Sequence, residues 1–169
     1  MNAQELRALQ APIKAQFREQ PETARQTLQA RALFDGAGSD VACRVETKLG
    51  IANAGLHPAT GGDGTWVCSA EALLEALVGC AGVALKAVAT TMELPISGGS
   101  IVAEGDLDFR GTLGVDKSVP IGFTAIRLRF DIQGDVTPEQ KATLIRLTER
   151  YCVVLQTLRN APTIEAVSV

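Results

Sequence analysis

Ile126, Leu128, Phe130 and Ile132 alternate with Arg127, Arg129 and Asp131, the period of two expected of a β-strand with one wet face. A second stretch repeats the pattern over ten residues, with Ile101, Ala103, Gly105, Leu107 and Phe109 set against Val102, Glu104, Asp106, Asp108 and Arg110. The two are expected to pair antiparallel, with a turn over 95–100 before the first and a loop over 111–122 between them. Upstream, Leu28, Ala30, Ala32 and Phe34 alternate with Gln29, Arg31 and Leu33; Asp35-Gly36-Ala37-Gly38 then offers turn chemistry before Val41, Cys43 and Val45 alternate again. A hairpin follows, and it puts Cys43 on the face of Val41 and Val45, as a core thiol. A last short strand is expected over 163–169, after Pro162.

Helical spacing takes over elsewhere. Ser69 can cap a helix running from 70 to about 92, and Glu71 suits the positive end of its dipole. Apolar residues nearly encircle this helix, which marks it as the buried centre of the fold. Gly79 and Gly82 interrupt it at a cost of about 1 kcal/mol each, which predicts close packing against the backbone on either side of Cys80. Thr137-Pro138-Glu139-Gln140 is a capping box with Pro at the first helical position; Leu144, Ile145, Leu147 and Tyr151 form the apolar stripe behind it, and Cys152 arrives at the helix end. At the start, Leu6, Leu9, Ile13 and Phe17 predict two short amphipathic pieces, the second opening at Pro12. The reading is a helical arm over 1–24 followed by one domain over 25–169. The stretch 50–65, rich in Gly, Ala and Asn, reads as a loop beside the site; its Gly61-Gly62-Asp63-Gly64 lacks the GK[ST] ending of a phosphate cradle.

Composition narrows the function classes. The 169 residues suffice for one core, and 46% apolar with 21% charged is a globular balance. Sixteen basic against nineteen acidic residues, without a basic cluster, disfavour nucleic acid. Charges scattered through 1–20 leave no signal-peptide core, so the chain is expected in the cytoplasm. The longest uncharged part of the apolar helix, 76–85, is ten residues, too few to span a bilayer. His57, Cys68, Cys80 and Cys152 match no zinc spacing, and no cofactor or metal is expected; His57 reads as a structural loop residue.

Four cysteines without a CxxC pair, in a reducing compartment, raise the question of reactivity. A thiolate that attacks a peroxide oxygen becomes a sulfenic acid, and a second thiol converts it to a disulfide. Periodicity alone favours Cys80 as a small core hydrophobe among Ala and Gly.

The stretch from Ser69 through Glu71, Leu73-Leu74-Glu75-Ala76-Leu77 and Val78-Gly79-Cys80 resembles the first-cysteine segment of the OsmC/Ohr family. The run Glu104-Gly105-Asp106-Leu107-Asp108-Phe109-Arg110-Gly111, then Gly122-Phe123, resembles the family's central strands, and Glu149-Arg150-Tyr151-Cys152-Val153-Val154 its second-cysteine segment. The resemblance covers about 25–169. It implies an α+β fold, a mostly antiparallel sheet with a long central helix carrying Cys80, in an intertwined homodimer. It also implies a thiol peroxidase acting on organic hydroperoxides, with Cys80 attacking, Cys152 resolving and Glu71 assisting, reduced by a dithiol such as a lipoyl group. The alternative is a small-ligand-binding or redox-regulatory protein of the same fold, without efficient peroxidase activity. Family members place Pro after the second cysteine; Val153 here would let the helix run on through Cys152. They also pair the first thiolate with an Arg after the first strand, where 35–38 holds none, leaving Arg44, Arg110 and Arg150 as candidates. Cys43 and Cys68 are expected to be dispensable.

Overall fold

The computed structural model describes residues 1–33, 41–48 and 50–168. In chain order the elements are α1 (Ala3–Glu19), a 3-10 turn (Pro21–Ala24), β1 (Arg31–Leu33), β2 (Ala42–Thr47), β3 (Gly50–Gly55), a 3-10 turn (Pro58–Thr60) and β4 (Val67–Cys68). There follow α2 (Ser69–Thr91), β5 (Ile96–Asp106), α3 (Phe109–Thr112), β6 (Ala125–Gly134), α4 (Pro138–Tyr151) and α5 (Val153–Arg159). Among the described residues the fold is α+β, with two sheets and α2, at 23 residues, as its longest helix. The segments form two compact units, one of Met1–Gln16, Ala76–Ala103 and Leu128–Val169, the other of Phe17–Glu75 and Glu104–Arg127.

The second unit holds the four-stranded sheet β1-β2-β3-β4. β1 pairs antiparallel with β2, Arg31 opposite Glu46, and the two side chains form an exposed ion pair at 3.7 Å. The expected hairpin is thus present, though its turn at 35–38 lies outside the described residues. β3 pairs antiparallel with β2 from Ala42↔Gly55 to Thr47↔Gly50, and parallel with β4 at Ala54↔Val67. This corrects the reading of 50–55 as loop. The sequence Gly-Ile-Ala-Asn-Ala-Gly has little strand propensity of its own, and the full register with β2 supplies the backbone hydrogen bonds that hold it extended.

The first unit is built around the C-terminal four turns of α2. Leu85, Val88 and Ala89 of α2 pack with Ile132 of β6 and Leu144 of α4, and Ile101, Phe130 and Leu147 close over them. β6 follows the alternation of the sequence, with Ile126, Leu128, Phe130 and Ile132 turned inward. β5 and β6 form a separate two-stranded sheet, antiparallel, since Asp106 meets Thr124 at one end and Ile96 meets Gly134 at the other. β5 starts at Ile96, so the turn expected over 95–100 is strand. Gly98 and Gly99 read as turn residues, but Gly99 takes φ of 147° where any Cβ would strike the Asp131 carbonyl. β5 also ends early. Asp108 accepts a hydrogen bond from the Arg110 N–H (3.0 Å) and opens the short helix α3 where strand was expected.

Two further expectations change. α1 is one helix of 17 residues with Pro12 inside it, not two pieces. No strand forms over 163–168 among the described residues. The box at Thr137 is present as read: the Gln140 N–H donates to Thr137 Oγ1 (3.3 Å) and the Thr137 N–H to Gln140 Oε1 (2.9 Å). Taken whole, α2 is also long and apolar enough to cross a membrane, which corrects the count based on its ten uncharged residues; yet Leu77, Ala81, Leu85, Val88 and Ala89 form a stripe buried against protein.

Candidate functional site

Cys80 sits midway along α2, half-buried, in the same unit as Cys152. Cys152 is fully buried and stands between α4 and α5, with φ −76° and ψ 104°. The helix therefore breaks there, against the expectation that Val153 would let it run on through Cys152. Hydrogen bonds on both sides stabilise the break. The Cys152 N–H donates to the Thr148 carbonyl (2.9 Å), and the Cys152 carbonyl accepts from the Gln156 N–H (2.9 Å). The Gln156 side chain then reaches back, its Nε2 donating to the Glu149 carbonyl (2.8 Å), one of the acceptors that the end of α4 leaves open. Arg159 adds an ion pair to Glu149 at 3.3 Å.

The Cys80 thiol is near enough to Cys152 to act on its proton. Burial pushes the Cys152 thiol above its ordinary value; backbone hydrogen bonding at Leu155 works against this, and the adjacent Cys80 thiol adds to it. Cys152 is thus held as a neutral thiol beside Cys80. Cys80 also faces a cleft of about 890 Å³ lined mainly by apolar groups, among them Val83, Ala87, Leu147, Tyr151 and Val153. Gln10 and Lys14 of α1 complete the lining. A cleft of this size, with few polar groups and a nucleophile in its wall, is suited to a small organic molecule.

Gly79 lines the same cleft, and beyond the helix's own adjoining backbone no atom of the described residues comes within 4 Å of where a Cβ would stand at Gly79 or Gly82. The close packing expected at these glycines is therefore absent among the described residues. Beside them Val83 is 73% exposed and Val153 70%.

The remaining candidates fall elsewhere. Glu71 is exposed in the first turn of α2. Cys43 lies in β2 and Cys68 in β4, both half-buried in the second unit. His57 is structural: its Nδ1 accepts from the Ala59 N–H (3.0 Å) and its ring stacks on Phe109 at 4.7 Å. Arg110 is held by Asp108 at 2.6 Å, and Arg150 lies over the Tyr151 ring at 5.6 Å. Sequence reasoning missed Gln10 and Lys14. It set 1–24 apart as an arm, and nothing local in α1 announces that one of its faces borders the Cys80 cleft.

The fold is found in solved structures. An OsmC-like protein from Mycoplasma pneumoniae superposes with a TM-score of 0.64 at 15% identity, over 80% of this chain and 89% of the other. An organic hydroperoxide resistance protein OsmC from Legionella pneumophila gives 0.61 at 19% identity, over 80% and 90%. An organic hydroperoxide resistance protein from Elizabethkingia anophelis gives 0.62 at 17%, over 81% and 91%. No curated protein matches the chain. A sequence model of the OsmC-like proteins matches residues 62–167, a stretch that holds Cys68, Cys80 and Cys152 and most of the elements above. On that match and that fold, the chain belongs to the OsmC-like protein family.

Proposed function

We propose that this protein is a thiol-dependent peroxidase that reduces organic hydroperoxides through Cys80 and Cys152, in the cytoplasm and as an intertwined homodimer. The observation that carries the reading is the placement of a half-buried thiol, open to an apolar cleft, beside a fully buried second thiol. Cys80, as thiolate, attacks the terminal oxygen of R–OOH; the O–O bond breaks, its electron pair leaves with RO⁻, and a proton from solvent gives ROH and a sulfenic acid. The Cys152 thiol then displaces the sulfenic oxygen as water, forming the Cys80–Cys152 disulfide. A dithiol of the lipoyl type gives two electrons and two protons, restoring both thiols and leaving as its own disulfide. Glu71 is proposed to assist from the start of the helix that carries Cys80.

The dimer is supported by what α2 leaves uncovered. Gly79, Gly82 and Val83 lie open, and Tyr151 and Val153 beside them are exposed apolar surface of the kind a partner covers. A second reading, a protein that holds an apolar ligand without efficient turnover, is favoured by the cleft volume, which exceeds what a small hydroperoxide fills. Consumption of cumene hydroperoxide with dihydrolipoamide separates the two. One equivalent should remove two thiols per chain and yield a Cys80–Cys152 peptide by mass mapping, whereas free Cys80 with unconsumed peroxide would leave the ligand-binding reading. Light scattering at micromolar concentration tests the dimer, which a monomer mass would rule out.

A further inference from the structure

Thr148 is the one buried polar side chain among the described residues, and its Oγ1 has no hydrogen-bond partner there. With Leu144 before it and Cys152 after it, each four residues away, it forms one stripe, and all three are fully buried. At one end of that stripe Leu144 packs with Leu85, Val88 and Ala89 of α2; at the other Cys152 stands beside Cys80. Thr148 therefore lies opposite the stretch of α2 between Cys80 and Leu85, where Ala81, Gly82, Val83 and Ala84 offer its hydroxyl no polar side chain. It is buried by its own chain, so a partner subunit seated over Gly79, Val83, Tyr151 and Val153 does not alter its surroundings. A hydroxyl kept in such a place, at a cost in hydration, is accounted for by a partner that exists only at another stage of the reaction.

We infer that Thr148 is a further residue of the resolving step, its hydroxyl finding its missing partner in the sulfenic oxygen of oxidised Cys80. This rests on the peroxidase reading, whose second step it completes. In the reduced chain no acceptor meets the hydroxyl, and oxidation of Cys80 brings an oxygen into the same buried neighbourhood. The Cys152 sulfur then bonds to the Cys80 sulfur, the S–O bond breaks with its electron pair going to oxygen, and the Cys152 proton completes a water. The Thr148 O–H donates to that oxygen as negative charge grows on it, and keeps its own proton. Cys152 is shut off from solvent, and no other buried polar side chain among the described residues can take this part.

The test sets Thr148→Val and Thr148→Ala, which lack the hydroxyl, against Thr148→Ser, which keeps it. Each full-length chain, checked for folding by circular dichroism, is mixed with cumene hydroperoxide over a range of concentrations. Peptide mass mapping reads how Cys80 divides between the Cys80–Cys152 disulfide and the sulfinic acid, which compete for the same sulfenic acid. Thr148→Val and Thr148→Ala should lower the disulfide-to-sulfinic ratio by about three- to ten-fold, the range of one net hydrogen bond, and Thr148→Ser should keep the wild-type ratio. The rate at which the first equivalent of peroxide is consumed reports the earlier step, and sets apart a variant that merely disturbs Cys80. Packing alone would order the ratio differently, with the isosteric Thr148→Val at the wild-type value and the two smaller residues below it. A ratio that does not follow the hydroxyl, whether because Thr148→Val keeps the wild-type value or because Thr148→Ser falls as far as Thr148→Val, overturns the inference and leaves the peroxidase reading standing. Wild-type Cys80 that gives neither product removes both together.

Discussion

Thr148 offers the sharpest test of the packing around the two cysteines. It lies one helical turn before Cys152, is completely buried, and its Oγ1 has no hydrogen-bond partner among the described residues. A buried hydroxyl without a partner costs about 1–3 kcal/mol in lost hydration. Thr148→Val replaces that oxygen with a methyl of nearly the same shape and leaves helix propensity almost unchanged. The oxygen's cost is removed and apolar burial is gained, so the variant should be more stable by about 1–2 kcal/mol. For a chain of 169 residues this corresponds to a Tm higher by about 2–8 °C. Thermal denaturation followed by circular dichroism, with a urea midpoint as a second measure, reads the change. Thr148→Ala is the control, since it removes the same oxygen but leaves a void, and it should lie below Thr148→Val by about 1 kcal/mol or more. A Tm lowered in both variants would refute the reasoning, because it would mean that the hydroxyl makes a hydrogen bond worth more than its burial costs.

Three other outcomes follow from single sites. Because burial raises the Cys152 thiol above its ordinary value, the folded chain keeps this proton to higher pH than the unfolded chain. Its contribution is complete below the ordinary thiol pKa of about 8.5 and is lost as pH rises toward the raised one, so the urea midpoint should fall above that pH, and fall less in Cys152→Ser. Gly105→Ala would put a Cβ 2.5 Å from the Phe123 ring, and should cost about 1–3 kcal/mol by overpacking, visible as a lower Tm. Thr137→Ala removes the side chain that caps α4 and should cost about 1 kcal/mol, again read as Tm; no loss would mean that the box contributes nothing to the folded chain.

Strands and helices with side chains large enough to pattern were legible in the sequence. β6 could be read position by position because Ile126, Leu128, Phe130 and Ile132 are turned inward by the same alternation that spells them, and α4 because its cap is local chemistry. What failed depended on partners elsewhere in the chain. β3 is strand because β2 lies beside it, and Ile96–Ser100 is strand because β6 approaches so closely that Gly99 alone fits. Pro12 marks a helix start by local rules, yet α1 runs through it with the exposed side of the helix tolerating the lost hydrogen bond. The candidate site divides in the same way. Cys80 and Cys152 were picked out by resemblance, since no periodicity connects residues 72 positions apart, and Lys14 was overlooked because its meaning lies in the cleft it borders.

For the proposed peroxidase reaction, the two thiols differ in a way that suits successive steps. Cys80 opens onto the cleft, where an apolar peroxide can reach it, and Cys152 is hidden, where only a product formed on Cys80 can meet it. A thiol kept neutral by burial is a poor nucleophile toward peroxide in solution, so in the proposed cycle Cys152 would be spared from oxidation until Cys80 has reacted. Position must then supply what nucleophilicity does not, because a sulfenic acid left unresolved goes on to the sulfinic acid. The backbone break at Cys152 meets that need. With Thr148 bonded on one side, Gln156 on the other and the Gln156 amide returned to Glu149, the residue is fixed at both ends, and the side chain is held beside Cys80 without the proline expected at 153.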